Sequence, residues 1–79
     1  MTLNEINVGQ TVLLDDFSQS QPVYFKLISL GLLPGDPIVV MGKAPFGGPI
    51  SIKHGSETFF ALRRSEAIQI HVKNSTVKI

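Results

Sequence analysis

Apolar and polar positions recur with two different periods along this chain, and the change of period divides it into elements. Thr11-Val12-Leu13-Leu14 is β-prone and predicts a first strand. From Pro22 to Leu30 the spacing becomes helical. Val23, Leu27 and Leu30 stand at i, i+4 and i+7, which predicts a short helix with those three side chains as its buried stripe, flanked by Tyr24 and Ile28. Phe25 lies about 200° from Val23 at roughly 100° per residue, so it should face away from the core beside Lys26 and Ser29. Ile38 to Met41 is a second strand, ended by Gly42 and Lys43. Ile50-Ser51-Ile52-Lys53 alternates as a half-buried third strand, and Thr58 to Leu62 returns as a fourth. Ile68-Gln69-Ile70-His71-Val72 alternates most regularly, which predicts a fifth strand with Ile68, Ile70 and Val72 inward. Beyond it, Lys73 to Ile79 has no packing pattern except Val77 and Ile79 and reads as a frayed tail.

The residues between these runs specify reversals. Thr2 and Glu5 have capping-box spacing for one turn of helix, and Asn7-Val8-Gly9-Gln10 has turn chemistry. Asp15 and Asp16 mark the solvated end of the first strand, with Phe17 returning to the core. Ser18-Gln19-Ser20-Gln21 is a polar connector to Pro22, which suits the first helical position. Gly31 is placed to close the helix in the left-handed conformation. With Leu30 as C-cap, Leu27 and Leu32 then meet in the contact that accompanies a Schellman cap. Leu33-Pro34-Gly35-Asp36 reads as a type II turn, with Leu32 inside and Leu33 outside, and Pro37 can open the next strand. Ala44 to Pro49 is a Pro/Gly loop with Phe46 at its centre. His54 to Glu57 is a hairpin tip: a two-residue turn would turn Phe59 and Ala61 inward, a bulge or longer loop Phe60 and Leu62. The second is expected, because Leu62 is the larger apolar group. Arg63-Arg64-Ser65-Glu66 is a polar turn with one turn of 3₁₀ helix.

No βαβ crossover fits these lengths, so the strands should be antiparallel and curl so as to remove most edges. The expected fold is mainly β: a small SH3-like antiparallel β-barrel over residues 1–73 with one short α-helix inserted after the first strand, and a C-terminal tail over 74–79.

Composition narrows the function classes. The chain of 79 residues allows one domain with a small core, and without cysteine it has neither a disulfide framework nor a thiolate metal site. A net charge of +1 argues against nucleic acid as partner. The N-terminus has no signal-peptide pattern, and apolar runs of four residues are too short to span a bilayer, so a cytoplasmic domain is expected. No nucleophile elbow or P-loop occurs, and no nucleophile–base pair announces itself, so no enzymatic activity and no cofactor are expected. His54 and His71 lack ligand partners at metal-binding spacing. They remain weak candidates for a transition metal with Glu57 or the Asp15-Asp16 pair. An exposed Phe25 on the molecule's one longer helix suggests a docking patch.

Three blocks then point to a family. Lys26-Leu27-Ile28-Ser29-Leu30-Gly31-Leu32-Leu33-Pro34-Gly35, the loop Ala44-Pro45-Phe46-Gly47-Gly48-Pro49-Ile50 and Ala61-Leu62-Arg63-Arg64 resemble, in order and spacing, the signature segments of the ferrous iron transport protein A (FeoA) family. The resemblance implies an SH3-like fold, also found at the C-terminus of metal-responsive repressors. It further implies an accessory protein at the inner face of the cell membrane. Its partner there would be the cytoplasmic G-protein region of a FeoB-type ferrous iron permease. The contact groups expected for that partner are Phe25, Lys26, Leu32, Leu33, Phe46, Arg63 and Arg64; self-association is left open. The chain departs from the family at Phe25, where a polar or basic residue is frequent. The rival readings are a small metal carrier or sensor, a generic SH3-like interaction module and a nucleic-acid binder.

Overall fold

The computed structural model describes residues 1–15 and 22–75. The expectations for Asp16, Phe17, the connector 18–21 and the last residues 76–79 lie outside that range. The order of elements is a 3₁₀ turn (Leu3–Glu5), β1 (Thr11–Leu14), α1 (Pro22–Ser29), β2 (Pro37–Lys43), β3 (Ile50–His54), β4 (Thr58–Leu62), α2 (Arg64–Ala67) and β5 (Val72–Asn74). The five strands form one antiparallel sheet in the order β4-β3-β2-β1-β5. This is the mainly-β architecture expected, with the helix where the periodicity placed it. Among the described residues β4 pairs only with β3 and keeps an outer edge, whereas the outer side of β5 is met by the N-terminal segment, through Val72 N–H to Met1 O and the Thr2–His71 bridge.

Alternation along each strand assigns one face to the core. Val12 and Leu14, Ile38 and Val40, Ile50 and Ile52, Leu62 and Val72 are buried, and Phe60 packs against them half-buried. Val23, Tyr24 and Leu27 of α1, Leu3 and Ile6 at the N-terminal turn, and Leu32, Ala67 and Ile70 complete the cluster. Tyr24 is buried rather than flanking, because its hydroxyl has a partner inside: it donates to the Gln69 carbonyl at 3.1 Å. The N-terminal turn docks beside β5 through Leu3 N–H to Ile70 O at 2.9 Å and Val72 N–H to Met1 O at 2.9 Å. The Glu5 carboxylate accepts the Thr2 N–H at 2.8 Å, the back-bond of a capping box.

The segment joining α1 to β2 has both expected reversals. Gly31 adopts φ +88°. Leu32 N–H reaches Leu27 O and Gly31 N–H reaches Ile28 O, both at 2.9 Å, the bond pair of a Schellman cap. Leu27 and Leu32 are both buried in contact range of the core. The following turn closes through Asp36 N–H to Leu33 O at 3.1 Å, with Gly35 at φ +87°. It is sewn to the end of β1 by Gly35 N–H to Leu14 O and Leu14 N–H to Asp36 O, at 2.8 and 2.9 Å.

Three expectations need correction. Leu30 does not complete the helical stripe: α1 ends at Ser29, and Leu30, already in the cap, is 36% exposed. The fifth strand begins four residues later than its alternation suggests. Residues Arg64–Ala67 coil instead, Ile68 caps that turn with helical backbone angles and is 51% exposed, and β5 then runs through Lys73 and Asn74. The second strand does not stop at Met41; a bulge there lets Gly42 and Lys43 go on pairing with Ser51 and Ile50. The hairpin after β3 has a three-residue loop closed by His54 opposite Thr58, with no bulge in it, and it places Phe60 and Leu62 on the core face as expected.

Candidate protein-interaction surface

The exposed apolar groups come from three places that the backbone fixes. On α1, Phe25 is 66% exposed, and Ile28, one turn on, is exposed beside it. The cap and type II turn hold Leu33 outward while Leu32 is fully buried. Leu32 is therefore a core residue and not a contact group; the burial that forms the cap removes it from the surface. Leu33 N–H donates to Asp36 Oδ2 at 2.9 Å, which fixes the turn that presents its side chain.

The third place is the loop between β2 and β3. Ala44 N–H bonds Pro49 O at 2.9 Å, and Gly48 N–H bonds Pro45 O at 3.1 Å, closing a tight turn with Phe46 and Gly47 at its centre. Both central residues have positive φ, +58° and +74°, as in a type I′ turn. Phe46 is the one non-glycine residue with positive φ among the described residues, and its ring is fully exposed. A large aromatic side chain there costs about 1–2 kcal/mol of backbone strain and gains nothing from burial.

Arg64 holds this loop from beneath. Its Nε donates to Gly48 O and its Nη2 to Ala44 O, both at 3.1 Å. The guanidinium expected to contact a partner is thus a part-buried clamp, while its neighbour Arg63 is exposed. Lys26 is also engaged. Its Nζ lies 2.8 Å from Glu66 Oε2 and 3.0 Å from Oε1, joining α1 to α2. Glu66 also accepts the Arg63 N–H at 2.9 Å. The ammonium of Lys26 and that N–H hold the Glu66 carboxyl below the usual carboxylate range. Sequence reasoning did not single out Glu66 for this role; the signal was its position three residues after Arg63, where a capping carboxylate reaches back.

The two histidines are apart in the ladder. His54 ends β3, with Nε2 3.0 Å from Asp36 Oδ2, so one carboxylate serves both the type II turn and the hairpin. His71 bridges Thr2 at the opposite edge of the sheet. The Asp36 partnership was not foreseen, since 18 residues separate the pair. Among the described residues no three His, Asp or Glu side chains converge in a way that could hold a metal ion. Among them also, no helix is long and apolar enough to cross a membrane.

The arrangement is therefore a set of presented apolar groups, with charged side chains used to brace the elements that present them. Comparison with known proteins gives this surface a context. A search of curated proteins returns no match. Among solved structures, FeoA from Chlorobium tepidum is 30% identical with a TM-score of 0.80, covering 94% of this chain and 70% of that one. A FeoA-like protein from Clostridium acetobutylicum is 29% identical with a TM-score of 0.82, covering 100% of this chain and 90% of the other. FeoA from Stenotrophomonas maltophilia, described as a procaryotic SH3 domain protein and solved with zinc, is 30% identical with a TM-score of 0.71, covering 92% and 89%. The FeoA domain model matches residues 1–74, and with the three signature blocks lying on the cap, the strained loop and the β4–α2 junction, the chain belongs to the FeoA family of SH3-like proteins associated with ferrous iron transport.

Proposed function

We propose that this protein is a non-enzymatic accessory of ferrous iron uptake that works at the cytoplasmic face of the membrane by binding the G-protein-linked region of a FeoB-type permease. The observation that carries this reading is Phe46. A strained, fully exposed aromatic at the tip of a braced loop has no role in the core, and such residues are typical anchors of protein–protein contacts. Phe25 and Leu33 supply two further exposed apolar groups, and Arg63 an exposed charge. A binding role suits a domain whose described residues contain no buried charged side chain, and whose buried Tyr24 hydroxyl is already bonded to the Gln69 carbonyl.

Co-purification of the tagged protein with the permease tests the reading. Wild-type protein should recover the permease, and Phe46→Ala, Phe25→Ala and Leu33→Ala should each recover less. Equal recovery by all three folded variants would remove the proposed face. No recovery by wild-type protein would count against the function itself.

A further inference from the structure

The sheet ends in two edges of different character. β5 is three residues long, places Lys73 in its middle and already gives its Val72 N–H to the Met1 carbonyl of the N-terminal turn, so little of it is open to further pairing. β4 is five residues long, Thr58-Phe59-Phe60-Ala61-Leu62, with no charge, proline, glycine or bulge. Among the described residues its backbone bonds only to β3, so every second N–H and C=O of β4 points away from the sheet.

We infer that β4 is the site at which two copies of this chain associate, the two edge strands pairing antiparallel across a twofold axis through Phe60. The residues at this edge are self-complementary in that register. Phe59, on the outer face, falls opposite Ala61 of the second copy, a large side chain beside a small one. On the inner face the half-buried Phe60 meets its own counterpart, which covers the part of the ring that the core leaves exposed. Just beyond the strand, Glu57 falls opposite Arg63. The axis makes this happen twice, so each end of the joined ladder has an acidic group facing a basic one, and both are exposed in the single chain. Same-parity residues pair throughout, so whichever set of backbone groups points outward meets its own kind. Two five-residue strands make a small interface, well below the area of tight complexes, so the dimer is weak.

Sedimentation equilibrium of the full chain, with amide chemical shifts followed over the same concentrations, tests this. Reversible dimerisation is expected at about 0.1–1 mM, with shift changes concentrated on residues 57–63. Glu57→Arg or Arg63→Glu should each weaken association about tenfold, since each replaces two attractive pairs by two repulsive ones. The double reversal restores opposite charges across the axis and should return the association to within about threefold of wild type. Spectra of the dilute variants establish that each is folded. A chain that stays monomeric at about 1 mM would overturn the inference and leave the edge to a strand of another protein. So would a dimer whose shift changes lie elsewhere, or single reversals without effect, or a double reversal no better than either single.

Discussion

Phe46 states the logic of the molecule at the scale of one residue. Its loop was legible from Pro45, Gly47, Gly48 and Pro49, but its backbone angle was not, because a sequence rule would give the positive φ to a glycine and not to the phenylalanine. If the ring is there for a partner, its removal should not harm the fold. Asn tolerates left-handed backbone, so Phe46→Asn is expected to leave stability unchanged or raise it by about 1 kcal/mol, measured by thermal or urea unfolding. A loss of more than about 1 kcal/mol would mean that the ring supports the fold after all. Leu30 and Ile68 teach the converse lesson. Each fits an apolar period, yet each sits where the helix or the expected strand is not continued, so the period no longer says which way the side chain points.

At the scale of elements, the sequence was most readable where backbone chemistry is local. The Schellman cap and the type II turn need only the residues within them, and both formed as their glycines and Pro34 implied. The braces were unreadable because each joins distant residues: Arg64 to the 44–49 loop, Glu66 to Lys26, Asp36 to His54. Truncating Arg64 to Ala removes two charge-assisted bonds to carbonyls and should cost about 2 kcal/mol. The amides of Ala44 and Gly48, which close the loop, should then exchange at least about tenfold faster with solvent. Unchanged protection of those two amides would show that the loop holds its shape without the clamp.

The Lys26–Glu66 brace has a pH signature whose sign follows from the lowered carboxyl of Glu66. A carboxyl held below its unfolded value of about 4.3 stabilises the fold above that pH, and the contribution is lost as pH falls through the lower folded value. The pair is partly exposed, at 43% and 21% for the two side chains, so solvent screening keeps its share to about 1 kcal/mol or less. Glu66→Gln should therefore lower stability at pH 7 by about that amount, and the variant should lose less than wild type between neutral pH and pH about 3. Parallel curves for the two proteins would assign the acid sensitivity to other carboxylates.

At the scale of the whole molecule, a mainly-β sheet with one short helix after the first strand followed from two apolar periods and a handful of Gly and Pro positions. The edge that β4 keeps among the described residues did not, since alternation reports which face of a strand is buried but not what lies beside it. The surface was partly legible for the same reason: Phe25 and Leu33 are outward by periodicity and turn geometry, whereas Lys26 and Arg64 proved to be braces rather than free contact groups. What distinguishes this small protein is therefore a core that is complete without Phe25, Leu33 and Phe46, and a frame of hydrogen bonds that holds the Leu33 turn and the Phe46 loop in place. The most direct test of that view is the affinity of the purified protein for the purified permease, wild type against Phe46→Asn. The account predicts that the substitution weakens binding at least about tenfold, the effect of one aromatic anchor, while the variant unfolds no earlier than wild type. Equal affinities for the two proteins would contradict it.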